Sequence, residues 1–239
     1  MNIRDTIVAD RKLRVKSAGY NEGVAIPEKR DVPLVPFLKD PGVICEIKRR
    51  SPSKGKINAD LKAVDQAGIY VRNGIKTISV LTEQKYFGGT LTDLISIKIL
   101  FPEVAVLRKD FLFSPEDISV SYRAGADAVL LIASVLSTEE LTLMFNKAKA
   151  LGMACLVEVH DEADVNKAAA ICPDFTGINS RDLTTFTVDP VIPVKVKSLI
   201  SWKTSVVFES GIFGYEDALF AGSGGFSGIL VGEGVVRAP

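Results

Sequence analysis

The side chains best placed to do chemistry in this sequence are lysines and glutamates near the ends of short apolar runs. Glu46 and Lys48 sit two apart in Val43–Lys48, Lys109 lies near the end of Val104–Asp110, and Glu158 near the end of Met153–Val159. Asn179 lies near the end of Phe175–Ser180 and Arg181 just after it, and Glu209 and Ser210 end Ser205–Ser210. A lysine beside a carboxylate has its proton affinity shifted, so such a set can supply both general acids and general bases. The chain has one histidine, His160. One histidine nearly excludes a histidine-rich metal site and makes a Ser-His-Asp triad a remote option, so acid–base work is expected to fall to Lys, Glu and Asp. His160 itself is expected in a surface loop. No metal and no cofactor is expected.

Composition narrows the function classes. The 239 residues carry 29 basic and 29 acidic side chains, for a formal net charge of zero. That balance argues against a nucleic-acid partner and supplies no polybasic membrane anchor. Apolar residues make up 47% and charged residues 24%, the balance of a folded globular protein. Met1–Gly19 is charged throughout and has no apolar run of signal-peptide length. The longest apolar stretch, Ala126–Leu136, is too short to span a bilayer and contains Asp127 and Ser134. Cys45, Cys155 and Cys172 all sit in apolar contexts and are expected to be core thiols. Three cysteines cannot all pair, so reduced thiols and a cytoplasmic location are expected.

These residues need a scaffold that gathers them. β-branched apolar runs recur at Val43–Lys48, Lys76–Thr82, Val104–Asp110, Ala128–Ala133, Met153–Val159, Phe175–Ser180, Ser205–Ser210 and Ser227–Gly232. Helical patterns separate them, at Leu61–Asn73, Thr90–Leu100, Pro115–Ala124, Thr138–Leu151, Glu162–Ala170, Pro190–Leu199 and Tyr215–Ala221. Ser137 and Glu140 form a capping box, and Gly74, Gly125, Gly152 and Gly222 suit left-handed positions after helices. The alternation predicts a closed (β/α)₈ barrel of the α/β class, favoured over an open sheet because no GxGxxG follows the first run. The barrel would occupy 43–239 of one domain. Residues 1–42 would form an extension, with a helix over Ile3–Ser17 and a tether holding Pro27, Pro33, Pro36 and Pro41. After the eighth run only Glu233–Arg237 is left for an outer helix, so the last helix is expected to be shortened or missing.

In a barrel, chemistry sits at the C-terminal strand ends. Period two points Glu46 and Lys48 inward together. Charged or amide ends on five strands are costly unless they pair or work. Glu209-Ser210-Gly211-Ile212 and Gly232-Glu233-Gly234 follow the seventh and eighth strands, where barrels commonly bind phosphate through backbone N–H groups. The loop Arg49–Gly55 is basic and polar and suits a substrate cover, while Phe87 and Phe111 could wall an aromatic ring.

The motifs themselves resemble one family. Glu46-Ile47-Lys48-Arg49-Arg50-Ser51-Pro52-Ser53-Lys54-Gly55, Leu81–Gly89, Leu107–Phe111, Gly125–Ile132, Leu156–His160, Gly177–Leu183, Glu209–Ile212 and Val231–Glu233 are similar, in order, to the strand–loop units of indole-3-glycerol phosphate synthases. The resemblance implies a cofactor-free (β/α)₈ lyase of tryptophan biosynthesis. It would convert 1-(2-carboxyphenylamino)-1-deoxyribulose 5-phosphate to indole-3-glycerol phosphate with loss of CO₂ and water. It further implies Lys109 as the acid of ring closure, Lys48 as the acid for hydroxyl loss and Glu158 as the base, with Glu46 orienting a lysine. Asn179 would bind a substrate hydroxyl beside Glu209 and Ser210, and Ser51 and Arg181 would take the carboxylate. Ser210, Gly211, Gly232 and Glu233 would hold the phosphate, and Phe87, Phe111 and Leu130 the anthranilate ring. The expected partner is this phosphorylated small molecule, with no nucleic acid and no membrane. The chain is expected to be a monomer, a dimer being the alternative. A sister barrel isomerase such as phosphoribosylanthranilate isomerase, or a non-catalytic phosphate-binding barrel, would share the phosphate loops. Neither is expected to keep Glu46, Lys48, Lys109 and Glu158 together.

Overall fold

The apolar runs are strands and the segments between them helices in a computed structural model, which describes residues 3–39, 41–52, 55–181, 187–232 and 234. In chain order the elements begin with α1 (Ile3–Ala18), β1 (Gly42–Ile47), β2 (Arg50–Ser51), β3 (Gly55–Lys56), α2 (Ala63–Arg72), β4 (Thr77–Leu81), α3 (Gln84–Phe87) and α4 (Leu91–Leu100). They continue with β5 (Ala105–Lys109), α5 (Pro115–Ala124), β6 (Ala128–Ile132), α6 (Thr138–Ala150), β7 (Ala154–Val159) and α7 (Glu162–Ala169). The series closes with β8 (Phe175–Asn179), α8 (Val191–Lys197), β9 (Ser205–Glu209), α9 (Tyr215–Ser223) and β10 (Gly228–Val231). β1 and β4 to β10 pair in parallel around a closed ring in which β10 returns to β1. This is the (β/α)₈ barrel that the alternation predicts. β2 and β3 form a small antiparallel ladder in the loop after β1.

Local chemistry explains the helix boundaries. Ser137 and Glu140 make the expected capping box at the start of α6, and Ser114 with Asp117 makes another on α5. Each satisfies backbone N–H groups that have no partner inside the helix. Gly74, Gly125 and Gly152 adopt positive φ after their helices, as expected. Gly222 does not: it lies inside α9, and the left-handed residue is Gly225, with φ 69°. The helix runs two residues further than its apolar pattern because no earlier left-handed residue stops it. Cys45 and Cys155 are buried, but Cys172 is exposed and sits at φ 43° in the turn after α7. An apolar neighbourhood in sequence is not burial when the residue is in a tight turn. No helix among the described residues is long and apolar enough to cross a membrane. Of the expected final turn, Glu233 and 235–237 lie outside the described residues.

Period two divides the barrel interior into layers. Ile44, Leu107, Leu130, Leu156, Val207 and Leu230 point inward and form an apolar floor. Two residues further along the same strands come Glu46, Lys109, Glu158 and Glu209. The outer strand faces pack on the helices in a second, larger cluster that includes Ile78, Val106, Val129, Val157 and Phe208. Both faces of the strands are thus buried, as near-continuous apolar runs require.

The N-terminal extension spans both ends of the barrel. At the bottom, Phe37 packs edge-on against Phe175 at 5.2 Å, and its carbonyl accepts from Thr77 Oγ1 at 2.7 Å. Along the flank, Arg30 donates to Asp127 at 2.8 Å and to the Ala126 carbonyl at 2.6 Å, and Lys98 reaches the same Asp127 at 2.8 Å. At the top, Arg11 of α1 is fully buried between Asp110 at 3.0 Å and Asp117 at 2.6 Å. Asp110 also accepts from Thr82 Oγ1 and from Arg108. Burial alone would raise the Asp110 pKa, but Arg11 and Arg108 outweigh it and hold the carboxyl below its ordinary value. Removing one partner of a buried ionic cluster leaves charge uncompensated. Arg11→Met is therefore expected to cost about 3–5 kcal/mol of unfolding free energy in urea titrations. Because the folded Asp110 pKa is depressed, its contribution is complete above about pH 4 and lost as pH falls towards the folded value. The stability gap between wild type and Arg11→Met should shrink correspondingly in acid.

Candidate active site

The polar layer meets in one pocket at the C-terminal ends of the strands. Glu46, Lys48, Ser51, Phe87, Lys109, Phe111, Leu130, Glu158, Asn179, Arg181, Glu209, Ser210, Gly211 and Gly232 all line it. Of the residues expected at the site, Glu233 alone lies outside the described residues. α1 contributes Ile3, Arg4 and Ile7, and Asp110 lies beside Lys109. Sequence reasoning missed the α1 side chains, since nothing in the helix indicates where it docks.

Lys109 is the hub. Its Nζ lies 2.7 Å from Glu209 Oε2 and 3.4 Å from Glu158 Oε2, with a side chain only 16% exposed. Burial would lower the lysine pKa, but Glu209 and Glu158, helped by Glu46, more than reverse this and raise it well above the ordinary value. Across the mouth Lys48 Nζ sits 2.6 Å from Glu46 Oε1. The site thus holds two lysines against three inward carboxylates from three different strands.

The two carboxylates at Lys109 are not equivalent. Burial pushes Glu158 up, but Lys109, His160 and Asn179 together outweigh it, and its pKa falls well below the carboxylate range. Burial pushes Glu209 up as well. Lys109 opposes this and the charge of Glu158 reinforces it, leaving a pKa of about 7. Glu209 Oε1 is buried without a hydrogen-bond partner among the described residues. Gly177 makes room for it, since a Cβ there would collide with that oxygen.

His160 is not the exposed loop residue expected from sequence. Its side chain is 17% exposed and lies between two carboxylates, with Nε2 3.2 Å from Glu158 Oε1 and Nδ1 3.2 Å from Asp164 Oδ2. Asp164 also accepts from the His160 backbone N–H at 3.1 Å. The available signal was the spacing: a position two past Glu158 and four before Asp164 turns the ring back between them.

The loops complete the walls. Phe87 and Phe111 face each other with ring centroids 6.2 Å apart. Phe87 lies in the short helix α3, not in a loop: Glu83 caps α3 by accepting from Lys85, Tyr86 and Phe87 N–H groups. The loop after β1 is less free than its composition suggests. Arg49 makes a bidentate pair with Asp93 at 2.7 and 2.9 Å and donates to the Gly88 carbonyl, and Arg50 donates to the Gln84 carbonyl. These arginines hold the loop against α3 and α4, leaving Ser51 and Pro52 at the pocket; Ser53 and Lys54 lie outside the described residues. On the opposite side Ser210 and Gly211 take consecutive positive φ values of 68° and 75°. For Ser210 that conformation is uncommon and strained. Gly232 has a packing reason as well, since a Cβ there would lie 2.7 Å from Glu46 Oε1. Among the described residues no cluster of three or more His, Cys, Asp or Glu is arranged to hold a metal ion.

Comparison with known proteins finds relatives that span nearly the whole chain. The family model described as indole-3-glycerol phosphate synthase matches residues 5–239. An indole-3-glycerol phosphate synthase of Halalkalibacterium halodurans is 37% identical, over 98% of this chain and 91% of that protein. One of Acetivibrio thermocellus is 39% identical, over 99% of this chain and 95% of its own. Among solved structures, 3-hexulose-6-phosphate synthase from Salmonella typhimurium superposes with a TM-score of 0.66, covering 82% of this chain and 91% of that one. At 16% identity that likeness speaks for the barrel fold alone. The sequence relatives and the family match speak for more: the chain belongs to the indole-3-glycerol phosphate synthase family.

Proposed function

We propose that this chain is an indole-3-glycerol phosphate synthase, a decarboxylating lyase of tryptophan biosynthesis. It closes the ring of 1-(2-carboxyphenylamino)-1-deoxyribulose 5-phosphate and releases CO₂ and water. It works in the cytoplasm as one barrel domain over 1–239, as a monomer, without cofactor or metal. The observation that carries this reading is Lys109, held between Glu158 and Glu209 beside the Lys48–Glu46 pair, in a pocket walled by Phe87 and Phe111.

Ring closure joins the carboxylate-bearing aromatic carbon to the ketose carbonyl carbon, whose oxygen becomes an alkoxide. Lys109 protonates that oxygen. Its firmly held proton still moves, because an alkoxide is more basic than an amine. Loss of CO₂ returns the bonding electrons to the benzene ring. The new hydroxyl then leaves as water with a proton from Lys48, and Glu158 takes the ring proton whose departure makes the pyrrole aromatic. Glu46 orients Lys48 through their 2.6 Å pair. Asn179 binds a substrate hydroxyl with Glu209 and Ser210 beside it. Ser51 and Arg181 take the benzoate carboxylate, and Phe87, Phe111 and Leu130 hold the ring. The Ser210–Gly211 turn, Gly232 and Glu233 cradle the phosphate, the last two through backbone groups. In a dry pocket these charges act far more strongly than in water.

Purified protein given the carboxyphenylamino substrate should develop indole fluorescence. Lys109→Ala should lower kcat by about 10²–10⁴-fold with an unchanged circular dichroism spectrum. Folded wild type that produces no indole fluorescence contradicts the reading.

A further inference from the structure

The pocket poses a charge problem that the two lysines do not solve. Glu158 and Glu209 both flank Lys109, and both are almost completely buried. One ammonium cannot fully compensate two buried carboxylates, and like charges this close push one of them to hold a proton. Distance alone would leave Glu209 ionised, because it is nearer Lys109, at 2.7 Å against 3.4 Å. The groups around Glu158 reverse that order. Its Oε1 faces His160 Nε2 at 3.2 Å, and Asp164 of α7 faces the other ring nitrogen at 3.2 Å. Asn179 of β8 also favours the ionised form of Glu158. From the remaining strands, Glu209 lies across Lys109, and Glu46 of β1 adds negative charge to both. Glu209 has no second cation, and its Oε1 has no hydrogen-bond partner among the described residues.

We propose that His160 is a positioning residue whose doubly protonated ring, anchored by Asp164, fixes Glu158 rather than Glu209 as the ionised carboxylate beside Lys109. The Asp164–His160–Glu158 line supplies the second cation that the buried pair lacks. Asp164 keeps the imidazole charged and holds the ring with Nε2 3.2 Å from Glu158 Oε1, an ion-pair contact without hydrogen-bond geometry. Glu209 is then the carboxylate that holds or shares a proton near neutral pH. Both findings agree in direction: the His160 pKa lies at about 10, with burial opposed by Asp164 and Glu158, and that of Glu209 at about 7. The inference rests on the proposed reaction only where it makes Glu158 the base.

The single histidine makes the test clean, because the only imidazole ¹⁵N signals in the chain are those of His160. In wild type both ring nitrogens should stay protonated up to about pH 10. Asp164→Asn and Glu158→Gln should each lower that transition by about 1–3 pH units. A wild-type ring that titrates near the ordinary value of about 6.5 overturns the assignment, whatever the activity. The second readout is a double-mutant cycle on kcat. His160→Gln should cost about tenfold with KM little changed, and nothing further in a Glu158→Gln background. Equal losses in both backgrounds make His160 merely structural and overturn the proposal. If His160→Gln does not fold, Asp164→Asn is carried through the same cycle. Wild type lacking synthase activity but showing the high imidazole transition refutes the reaction while leaving the charge assignment standing.

Discussion

The Lys109 ammonium, held between Glu158 and Glu209, is the interaction on which the rest of the structure depends. Three carboxylates pointing into a barrel would repel one another and resist burial. Lys109, the Lys48–Glu46 pair and the His160–Asp164 pair make their burial tolerable. The apolar floor beneath them seals the bottom of the pocket and keeps the local dielectric low. Each inward charge is thereby worth more to a reacting substrate than it would be in water.

A second ionic cluster holds the first in place. Asp110 follows Lys109 directly and is gripped by Arg11 of α1, by Arg108 and by Thr82. Through Arg11 the N-terminal helix is fastened to the strand end that carries Lys109, and its Ile3, Arg4 and Ile7 reach the pocket. The extension then runs down the flank to Asp127 and closes the bottom with Phe37. The N-terminal extension is thus bonded to both ends of the barrel.

Much of this was legible in the sequence, for physical reasons. Near-continuous apolar runs with polar C-terminal ends can be stable only as parallel strands whose ends converge, so Glu46, Lys48, Lys109, Glu158, Asn179 and Glu209 could be placed from pattern alone. What could not be read depends on where a helix docks or a ring turns. The buried role of Arg11 comes from contacts across a separation of 99 residues, with no local signal. His160 looked like a loop residue because its partners are set by the turn into α7. The basic loop after β1 looked suited to cover a substrate, yet Asp93 and carbonyls on α3 and its flank claim Arg49 and Arg50. Gly222 and Cys172 were misjudged for one shared reason: composition does not reveal which residue of a turn takes positive φ.

The central claim is that carboxylates, not burial, set the charge of Lys109. Its side-chain NMR resonance, assigned by its loss in Lys109→Met, reports this directly across a pH titration. The account predicts that the ammonium persists above the ordinary lysine range, of about 10.4. Titration below that value would mean that desolvation wins, and would contradict the account.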